Sequence, residues 1–488
     1  MELYRGGDCV QGNTKQGSKH IVVTCEAVGI WNNLDAIAGG SKGHTTSDKD
    51  LPPLCSQLFY DAAYLQTSIT PVLFYNTWNV KLRTKLLISR SVPDRNVNDG
   101  SAAAITCDYS HQEYDLCTIN GSTLLDSASS TIFAVGPHTK DKYHAPLKIR
   151  PYPRKSDKVA MSGVKELNLI EAQPKLSCAV THRTPALVFS AAGYTGNYYH
   201  EINDNFIPLF ITINSLFPNR DVTLVVTEGK LWWFQKYAEL LSAFSPHRSI
   251  ISADNISTVH CFPSATLGLI KHGPMIIDPK LLLPNPKTLL HFRDFLGKVY
   301  TKSGTPFMYP KEKKKPQLTV ISRTHSRAIV NEEDVIKVGE ELGFSVHVFE
   351  PSRSTPMAKV YGVIHGSDVL LGVHGAGLTN FLFMRPGSVL VQVKPIGLEW
   401  VSRTYYEKPP KYLGVEYLEY KIEVNESSLL QKYGADSLVI KDPGAFQRKW
   451  PHKRVHWTEQ NVTIDIARFR KCLIKAHEKA KIFMSKVN

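Results

Sequence analysis

The sequence predicts an α/β protein with two α/β domains, and three observations support this fold class. The segment Asp368–Gln392 reads as an apolar run, a glycine-rich turn, a helix start and a second apolar run, which is the outline of a parallel α/β unit. Strand-like and helix-like segments alternate from about residue 180 to 300 and again from about 318 to 392. A chain of 488 residues also exceeds one ordinary hydrophobic core, so two or three domains are expected.

Composition and charge narrow the class of partner. With 42% hydrophobic and 21% charged residues the chain is globular. It carries 58 Lys and Arg against 44 Asp and Glu, a net charge of +14, which suits nucleic acid, anionic membranes, acidic polysaccharides or phosphorylated molecules. No basic motif interleaved with aromatic residues is present, so we expect no nucleic-acid partner. The densest basic run, Lys311–Lys315, lies between prolines and is interpreted as a solvated linker.

Residues 1–79 are predicted to be poorly ordered or atypical. Gly39–Gly43 spells G-x-S-x-G and Asp48–Asp50 spells D-x-D, but both lie in polar surroundings without the strand and helix that such motifs need. The first residues do not resemble a signal peptide, and no apolar run approaches about 18 residues. We therefore expect either a cytosolic protein or an N-terminal anchor missing from this sequence.

Residues 80–310 are predicted to form the first α/β domain, with an antiparallel β decoration in its early part. The decoration comprises the strand-like segments Val80–Ser89, Ala102–Cys107, Thr131–Val135 and Leu147–Pro151. The α/β part comprises strands at Ala186–Ser190, Val222–Val226 and Ala265–Ile270, and a helix at Leu231–Phe244.

Residues 316–457 are predicted to form the second α/β domain, half of a doubly wound sheet. Its predicted strands are Leu318–Ser322, Phe344–Phe349, Val369–Val373 and Ser388–Val393. One helix is expected at Glu332–Leu342, with Asn331 as its N-cap. A second helix is expected from Pro356 to His365. In the last segment, 458–488, Ile464–Lys481 is a basic amphipathic helix that we expect to pack across the domains and not on a membrane.

Polar side chains follow three predicted strands of the second domain. Arg323, Glu350 and His374 each come just past a strand end, where open parallel sheets bind their ligands. Gly375 and Gly377 allow another group to approach the backbone closely, and the following helix start suits a phosphate. Together these features predict a nucleotide site, although a glycine turn that only joins strand to helix would have the same sequence.

Two further pairs of residues suggest a binding or a catalytic role. Arg323 and Arg327 could bind a pyrophosphate through bidentate hydrogen bonds, or could be surface arginines beside an acidic helix start. His200 and Asp204 are four residues apart, so a helix would place them on one face. Either one could be the general base that takes a proton from a hydroxyl group. Pro208 disfavours an uninterrupted helix here. The alternative to a catalytic role is that His200 and Asp204 only accept hydrogen bonds from backbone amides at the start of a helix.

Neither α/β domain has metal-ligand spacing, so no metal is expected and arginines would neutralise a nucleotide diphosphate. Eight cysteines are too few for a disulfide scaffold. A bridge between Cys107 and Cys117 would nevertheless close a short loop, with a stabilisation of about 3 kcal/mol. N-glycosylation sequons occur at Asn120, Asn255, Asn425 and Asn461. Their number favours a secretory compartment.

Three separated motifs identify a family. GNYYHEINDNFIPLF, ISRTHSRAI and LLGVHGAGLTNFLFMRPGSVLVQVKPIGLEW together resemble glycosyltransferase family 61, more narrowly its plant branch that decorates xylan with arabinose or xylose. CDYSHQEYDLCTINGS resembles a cysteine-bounded segment of that branch, which supports a Cys107–Cys117 disulfide. The resemblance runs from about residue 80 to 480, whereas residues 1–80 match poorly.

The resemblance implies a GT-B fold, two Rossmann-like domains facing across a cleft, and an inverting, metal-independent enzyme that takes a UDP-pentose as co-substrate and xylan or another glycan as acceptor. It implies residence in the Golgi lumen, with membrane association through an anchor missing from this sequence. The implied pyrophosphate site is Arg323, Arg327, His374, Gly375, Ala376 and Gly377. Glu350 and Glu399 would contact ribose or sugar hydroxyls, and His200 and Asp204 would face the acceptor.

Two alternatives remain within the same family. One is a protein O-linked N-acetylglucosaminyltransferase, because the His and Asp pattern does not specify the sugar. The other is a catalytically silent relative that binds glycan or nucleotide, against which the presence of His200, Asp204, Arg323, Arg327 and His374 argues. The sequence does not choose between arabinose and xylose.

Overall fold

The computed structural model describes residues 10–12, 22–24, 104–136, 145–172, 174–246, 248–302, 315–451 and 453–487. The chain divides into two compact units, Met1–Arg95 and Asn96–Asn488. In the first unit, strands β1 (Val10–Gly12) and β2 (Val22–Thr24) pair antiparallel. The following predicted features lie outside the described residues: the motifs at Gly39–Gly43 and Asp48–Asp50, the strand Val80–Ser89 and most of the linker Lys311–Lys315.

In the second unit, ten of the described strands form one mixed sheet. Its order is β11-β10-β9-β12-β4-β5-β7-β6, with β3 paired to β4 and β8 to β12. The strands are β3 (Ala104–Asp108), β4 (Leu116–Asp126), β5 (Thr131–Ala134), β6 (Leu147–Ile149), β7 (Leu167–Glu171), β8 (Val180–Thr181), β9 (Ala186–Ser190), β10 (Thr223–Thr227), β11 (Ile251–Ser252) and β12 (His260–Leu267).

This sheet has a parallel and a mainly antiparallel part. Strands β9 to β12 are joined in parallel, and both β9 and β10 are buried along their whole length. Strand β12 then pairs antiparallel with β4, which opens the predicted antiparallel part. One pair departs from the predicted antiparallel arrangement, because β5 pairs in parallel with β7, a strand that the sequence analysis did not predict. A crossover through β6 and helix α1 (Lys158–Ser162) brings the chain back in the same direction.

Helices cover the parallel part of this sheet. They are α2 (Tyr198–His200), α3 (Ile207–Leu216), α4 (Leu231–Phe244) and α5 (Leu289–Thr301), with 3₁₀ turns at Ala253–Asn255 and Pro279–Leu281. The predicted bounds of α4 are confirmed. Trp233 of α4 is fully buried and stacks 5.8 Å from Phe206, so aromatic packing fixes the segment that precedes α3.

Five further described strands form a parallel sheet in the order β14-β13-β15-β16-β17. These are β13 (Gln317–Ile321), β14 (Ser345–Phe349), β15 (Val369–Val373), β16 (Val389–Lys394) and β17 (Glu416–Lys421), connected through α6 (Glu332–Glu341), α7 (Met357–His365), a 3₁₀ segment (Ala376–Phe383), α8 (Glu399–Ser402), a π-helical turn (Arg403–Glu407) and α9 (Lys408–Tyr412). The predicted doubly wound half-sheet is confirmed. The bounds of its four predicted strands and of α6 and α7 differ from the observed ones by at most one residue.

The C-terminal part closes one face of the parallel sheet. It contains a 3₁₀ turn (Val424–Glu426), α10 (Ser428–Tyr433), α11 (Leu438–Lys441), α12 (Pro443–Lys449), α13 (Val455–Thr458) and α14 (Ile466–Val487). Phe469, Leu473 and Ala476 of α14 enter the core beneath the sheet. Among the helices within the described ranges, none is both long and apolar enough to span a bilayer.

The predicted side-chain cap by Asn331 was wrong. Asn331 occupies the N-cap position of α6, but its side chain makes no capping hydrogen bond. Its Nδ2 donates instead to the carbonyl oxygen of Ile464 (2.9 Å), and its Oδ1 accepts from the Ile464 amide (2.8 Å). Asn331 thus holds the chain entering α14 against the start of α6.

The largest hydrophobic core contains residues from both sheets and from their covering helices. It includes Phe189 of β9, Phe292 of α5, Val360 of α7 and Phe381 of the 3₁₀ segment. Because this core is continuous, it fixes the position of the loops at the sheet edges. The predicted domain boundaries at 310–316 and 457–458 stay a prediction.

Two disulfides join described parts of the first sheet. Cys107 and Cys117 link the neighbouring strands β3 and β4, which is the pairing that the resemblance implied. Cys178 and Cys261 link the segment before β8 to β12, across a sequence separation of 83 residues. Sequence reasoning missed this second pairing because local spacing gives no sign of it.

We expect the Cys178→Ser, Cys261→Ser double variant to lose about 2–5 kcal/mol of unfolding free energy, because the long loop then becomes unconstrained in the unfolded chain. Urea unfolding under non-reducing conditions measures this loss. Cys472→Ser, at a cysteine outside any disulfide, is the matched control. An equal loss in both variants would contradict a stabilising role for the long-range disulfide.

Candidate active site

A cavity of about 1120 Å³ lies at the edges of the two sheets. Its walls include the loops that follow β9, β13, β14 and β15, the π-helical turn and the segment around α13. Among the described residues that line it, seven side chains are Lys or Arg and one is Glu: Arg154, Lys236, Arg323, Arg327, Arg353, Lys453, Arg454 and Glu201. The cavity is thus large enough for a nucleotide-sized ligand and favours an anion.

His200 and Asp204 lie on a helix that widens before Pro208. The chain forms α2 to His200, a π-helical segment from Glu201 to Phe206, and then α3 with Pro208 in its first turn. The Ile207 amide donates to the carbonyl oxygen of Ile202, an i→i+5 hydrogen bond. A regular α-helix would place the proline ring against the carbonyl of Asp204, and the wider turn is how the chain accommodates it. The expected disruption at Pro208 is therefore a π-helical segment.

Asp204 is fully buried and surrounded by donors. Its Oδ1 accepts from Lys271 Nζ (3.0 Å) and Asn203 Nδ2 (2.7 Å). Its Oδ2 accepts from His200 Nδ1 (2.7 Å), Tyr152 Oη (3.3 Å) and Arg154 NH1 (3.4 Å). Burial by itself would raise the pKa of Asp204, but Lys271, the bond from His200 and Arg154 hold it well below the ordinary value. Asp204 is therefore an ionised carboxylate at neutral pH, and it does not line the cavity.

The carboxylate of Asp204 fixes the tautomer of His200. An ionised carboxylate only accepts hydrogen bonds, so the proton of the 2.7 Å bond resides on Nδ1 of His200. Nε2 is then the basic nitrogen. His200 lines the cavity and keeps 18% of its side chain exposed, whereas Asp204 does not line it. Of the two residues predicted as alternative bases, only His200 can meet a ligand.

Arg323 and Arg327, in the loop after β13, form another part of the cavity wall, which we call the arginine wall. Arg323 Nε donates to the Ser326 carbonyl (2.8 Å), and Arg327 NH1 donates to the His374 carbonyl (2.8 Å). Burial lowers the pKa of Arg323, while burial and the neighbouring Arg323 lower that of Arg327 to about 10. The Nε of Arg327 is buried and has no hydrogen-bond partner among the described residues. Both groups remain cationic at neutral pH and fit the predicted anion site.

His374 is a buried, neutral imidazole at the same wall. Its Nδ1 accepts from Gln392 Nε2 (2.8 Å), while Gln392 Oε1 accepts from Tyr417 Oη (2.7 Å). Burial, together with Arg327 and Arg323, holds the pKa of His374 well below its ordinary value. A neutral ring that accepts at Nδ1 carries its proton on Nε2, so His374 is a donor and not a base.

The remaining predicted site residues divide into two groups. Gly375, Ala376 and Gly377 line the cavity, whereas Glu350 and Glu399 are exposed and do not line it. A β-carbon on Gly375 would lie 2.4 Å from Arg323 NH1, so glycine is what allows the arginine to approach the backbone. Asn120, Asn255 and Asn425 are exposed, but Asn461 is half-buried and accepts from the Ala328 amide (3.1 Å).

Sequence reasoning missed three residues that surround Asp204. Tyr152 and Arg154 come from the loop after β6, and Lys271 follows β12. Lys271 is only 2% exposed and also donates to the Pro153 carbonyl (3.1 Å). In open parallel sheets, ligands bind beyond the carboxyl ends of the strands. This strand-end rule identified Arg323 and would have identified Lys271 too. No group of three or more His, Cys, Asp or Glu placed to hold a metal ion occurs in the described part of the chain.

Comparison with known proteins assigns the family. The Glycosyltransferase 61 family model matches residues 198–391, which contain the predicted catalytic pair and the arginine wall. The chain is 38% identical over 398 residues to the xylan glycosyltransferase MUCI21 of Arabidopsis thaliana, covering 77% of this chain and 80% of that protein.

Two relatives from Oryza sativa subsp. japonica are also similar. The chain is 33% identical over 394 residues to the β-1,2-xylosyltransferase XYXT1, covering 76% of this chain and 83% of that protein. It is 32% identical over 386 residues to the α-1,3-arabinosyltransferase XAT3, covering 78% of this chain and 66% of that protein. With one family model and three relatives in agreement, the chain belongs to glycosyltransferase family 61.

Proposed function

We propose that the protein is an inverting glycosyltransferase that moves a pentose, arabinose or xylose, from a UDP-sugar to a xylan chain. The observation that carries the proposal is that His200, supported by Asp204, lines the same basic cavity as Arg323, Arg327 and His374. The names of the similar plant enzymes, a xylan glycosyltransferase, a xylosyltransferase and an arabinosyltransferase, support the pentose and the acceptor.

The donor diphosphate would bind the arginine wall. Arg323 and Arg327 both line the cavity and supply fixed positive charge to it. His374 would add a neutral Nε2–H donor. This charge from side chains is why we propose that the reaction needs no metal. The two sheets, whose edges share this cavity, support a GT-B description of the fold.

His200 would act as the general base. The acceptor hydroxyl oxygen forms the new bond to the anomeric carbon while the bond from that carbon to UDP breaks, and the hydroxyl proton passes to His200 Nε2. UDP leaves as an anion toward Arg323 and Arg327. Attack from the side opposite UDP inverts the anomeric configuration. Asp204 orients the ring and stabilises the imidazolium that forms.

We propose the Golgi lumen as the compartment. Two disulfides in the described region, Cys107–Cys117 and Cys178–Cys261, support an oxidising secretory environment. Exposed sequons at Asn120, Asn255 and Asn425 are consistent with it.

Gly375→Ala is expected to raise the Kd for UDP roughly tenfold, because the added methyl group displaces the Arg323 guanidinium and weakens a charged hydrogen bond. Calorimetric titration with UDP measures the change. The control is Gly163→Ala, where the new β-carbon meets the Ala160 carbonyl oxygen at an ordinary 3.6 Å. Unchanged UDP affinity in Gly375→Ala would remove Arg323 from the donor site.

A UDP-release assay on the full chain tests the proposed function. UDP-xylose, UDP-arabinofuranose and UDP-N-acetylglucosamine are each supplied with xylohexaose, with and without EDTA. We expect acceptor-dependent release from one pentose donor that persists in EDTA, and that donor identifies the sugar. Release only from UDP-N-acetylglucosamine would move the protein to the protein-modifying alternative. Tight UDP binding without release from any donor would indicate the silent relative.

A further inference from the structure

Trp400 is an exposed aromatic residue at the rim of the cavity. It lies in α8 and keeps 63% of its surface exposed. The next residue, Val401, and Tyr405, one turn after Val401, line the cavity. Tryptophan that remains this exposed is typical of binding surfaces, because it offers a large apolar face at a low cost in conformational entropy.

A continuous row of rings leads from Trp400 to the proposed base. The ring of Trp400 lies 5.8 Å from Tyr405, Tyr405 lies 4.4 Å from Tyr199, and Tyr199 lies 5.3 Å from His200. Tyr199 is largely buried, but like Tyr405 and His200 it lines the cavity, so the row begins in solvent at Trp400 and continues along the cavity wall to His200. A ligand that follows it would have one end at the base and the other outside the cavity.

The chemistry of this row differs from that of the arginine wall. The donor carries its negative charge on the diphosphate, which the charges of Arg323 and Arg327 suit. Arg154 is close enough to interact electrostatically with Tyr199 and Tyr405, but the rings themselves are uncharged and suit a ligand with flat apolar faces. A xylan chain has this character, since its sugar rings present C–H faces and its hydroxyl groups point outward at the edges. As a polymer it must also extend out of the cavity while one hydroxyl group reaches His200.

We propose that Trp400 and Tyr405 form a stacking platform for the xylan acceptor, with the exposed carboxylate of Glu399 beside Trp400 accepting hydrogen bonds from sugar hydroxyls. The inference rests on the proposed function and deepens it by naming the acceptor subsite. It also gives Glu399 a place on the acceptor side, outside the nucleotide site where the resemblance put it.

The test compares Trp400→Ala and Trp400→Phe with a matched control in the full chain. Tyr412→Ala is the control, because Tyr412 is 56% exposed and does not line the cavity. The measurements are kcat and KM with xylohexaose and with xylobiose, together with calorimetric Kd values for xylohexaose and for UDP. The Kd for xylohexaose is measured with UDP present, so that it does not depend on turnover.

For Trp400→Ala we expect KM and Kd for xylohexaose to rise roughly tenfold, as when an aromatic anchor is truncated. The KM for xylobiose, kcat and the Kd for UDP should stay close to those of the wild type, since a short acceptor at His200 does not reach Trp400. Trp400→Phe should restore most of the affinity, and Tyr412→Ala should match the wild type.

Three outcomes would overturn the platform. Unchanged xylohexaose affinity in Trp400→Ala would exclude it while leaving the proposed function intact, provided the wild type transfers pentose. A weaker Kd for UDP in Trp400→Ala would assign the ring to the nucleotide instead. If the wild type neither binds xylohexaose nor transfers to it, the proposed function and the platform both fail.

Discussion

Replacing His200 with alanine is expected to lower kcat for pentose transfer about 10²- to 10⁴-fold, the usual contribution of a general base. The Kd for UDP should stay within about twofold of the wild type, because His200 follows β9 of the first sheet, whereas Arg323 and Arg327 follow β13 of the second. Steady-state kinetics with xylohexaose and calorimetric titration with UDP measure the two quantities. A large loss of kcat without loss of UDP affinity would separate the base from the donor site.

His347→Ala is the matched control for this experiment. His347 is an exposed histidine of β14 that does not line the cavity, so its removal should leave kcat unchanged. If His200→Ala retained a kcat close to that of the wild type, the proton would leave by another route. His200 would then be a structural residue, and its bond to Asp204 would serve packing alone.

The Asp204→Asn variant is expected to lose both stability and activity. Asp204 is the shared acceptor for Lys271, Arg154 and His200. A neutral amide removes the buried carboxylate charge from this cluster, in which Arg154 also pairs with Asp157 and Lys271 with Glu113. Breaking a buried ion pair in this way costs about 3–5 kcal/mol of unfolding free energy. The amide also no longer holds the His200 proton on Nδ1, so kcat should fall together with stability.

The stability loss in Asp204→Asn should depend on pH in a defined direction. The pKa of Asp204 is lower in the folded chain than in the unfolded chain, so its carboxylate stabilises the fold above the unfolded pKa of about 3.9. This contribution is lost as the pH falls below that value toward the folded pKa. Urea unfolding at pH 7 and near pH 3 should therefore show a larger difference between wild type and variant at pH 7.

Asp221→Asn is the control for the buried carboxylate. Asp221 pairs with Arg248 at 2.8 Å on the surface, with 59% of the Asp221 side chain exposed, and such pairs typically contribute about 1 kcal/mol or less. A loss in Asp204→Asn no larger than in Asp221→Asn would show that Asp204 is not a charged, buried acceptor in solution.

The sequence predicted the parallel sheet more reliably than the side chains around it. Strands such as Val369–Val373 are continuous apolar runs between turn signals, which identify buried strands locally. The strand-end rule also placed Arg323 and His374 correctly at one edge, because parallel strands end together. The rule gives the edge but not the direction of each side chain, which is why Glu350 was expected at a site that it does not line.

Local sequence patterns could not predict the hydrogen-bond partners of Asp204 that lie far away in the chain. Lys271 and Tyr152 reach Asp204 from positions 67 and 52 residues away, and periodicity does not report such separations. Our proposal of His200 and not Asp204 as the base depends on these partners, because they enclose the Asp204 carboxylate. The parallel pairing of β5 with β7 likewise depended on a crossover that the strand pattern alone did not reveal.

The most direct test of the account is mass spectrometry of xylohexaose after incubation with the full chain and each UDP-pentose. The account predicts that xylohexaose gains one or more pentose residues from one of the two donors, and that the product is absent with His200→Ala. Xylohexaose that stays unmodified by wild-type protein with both pentose donors, while UDP binds the cavity, would contradict pentose transfer to xylan.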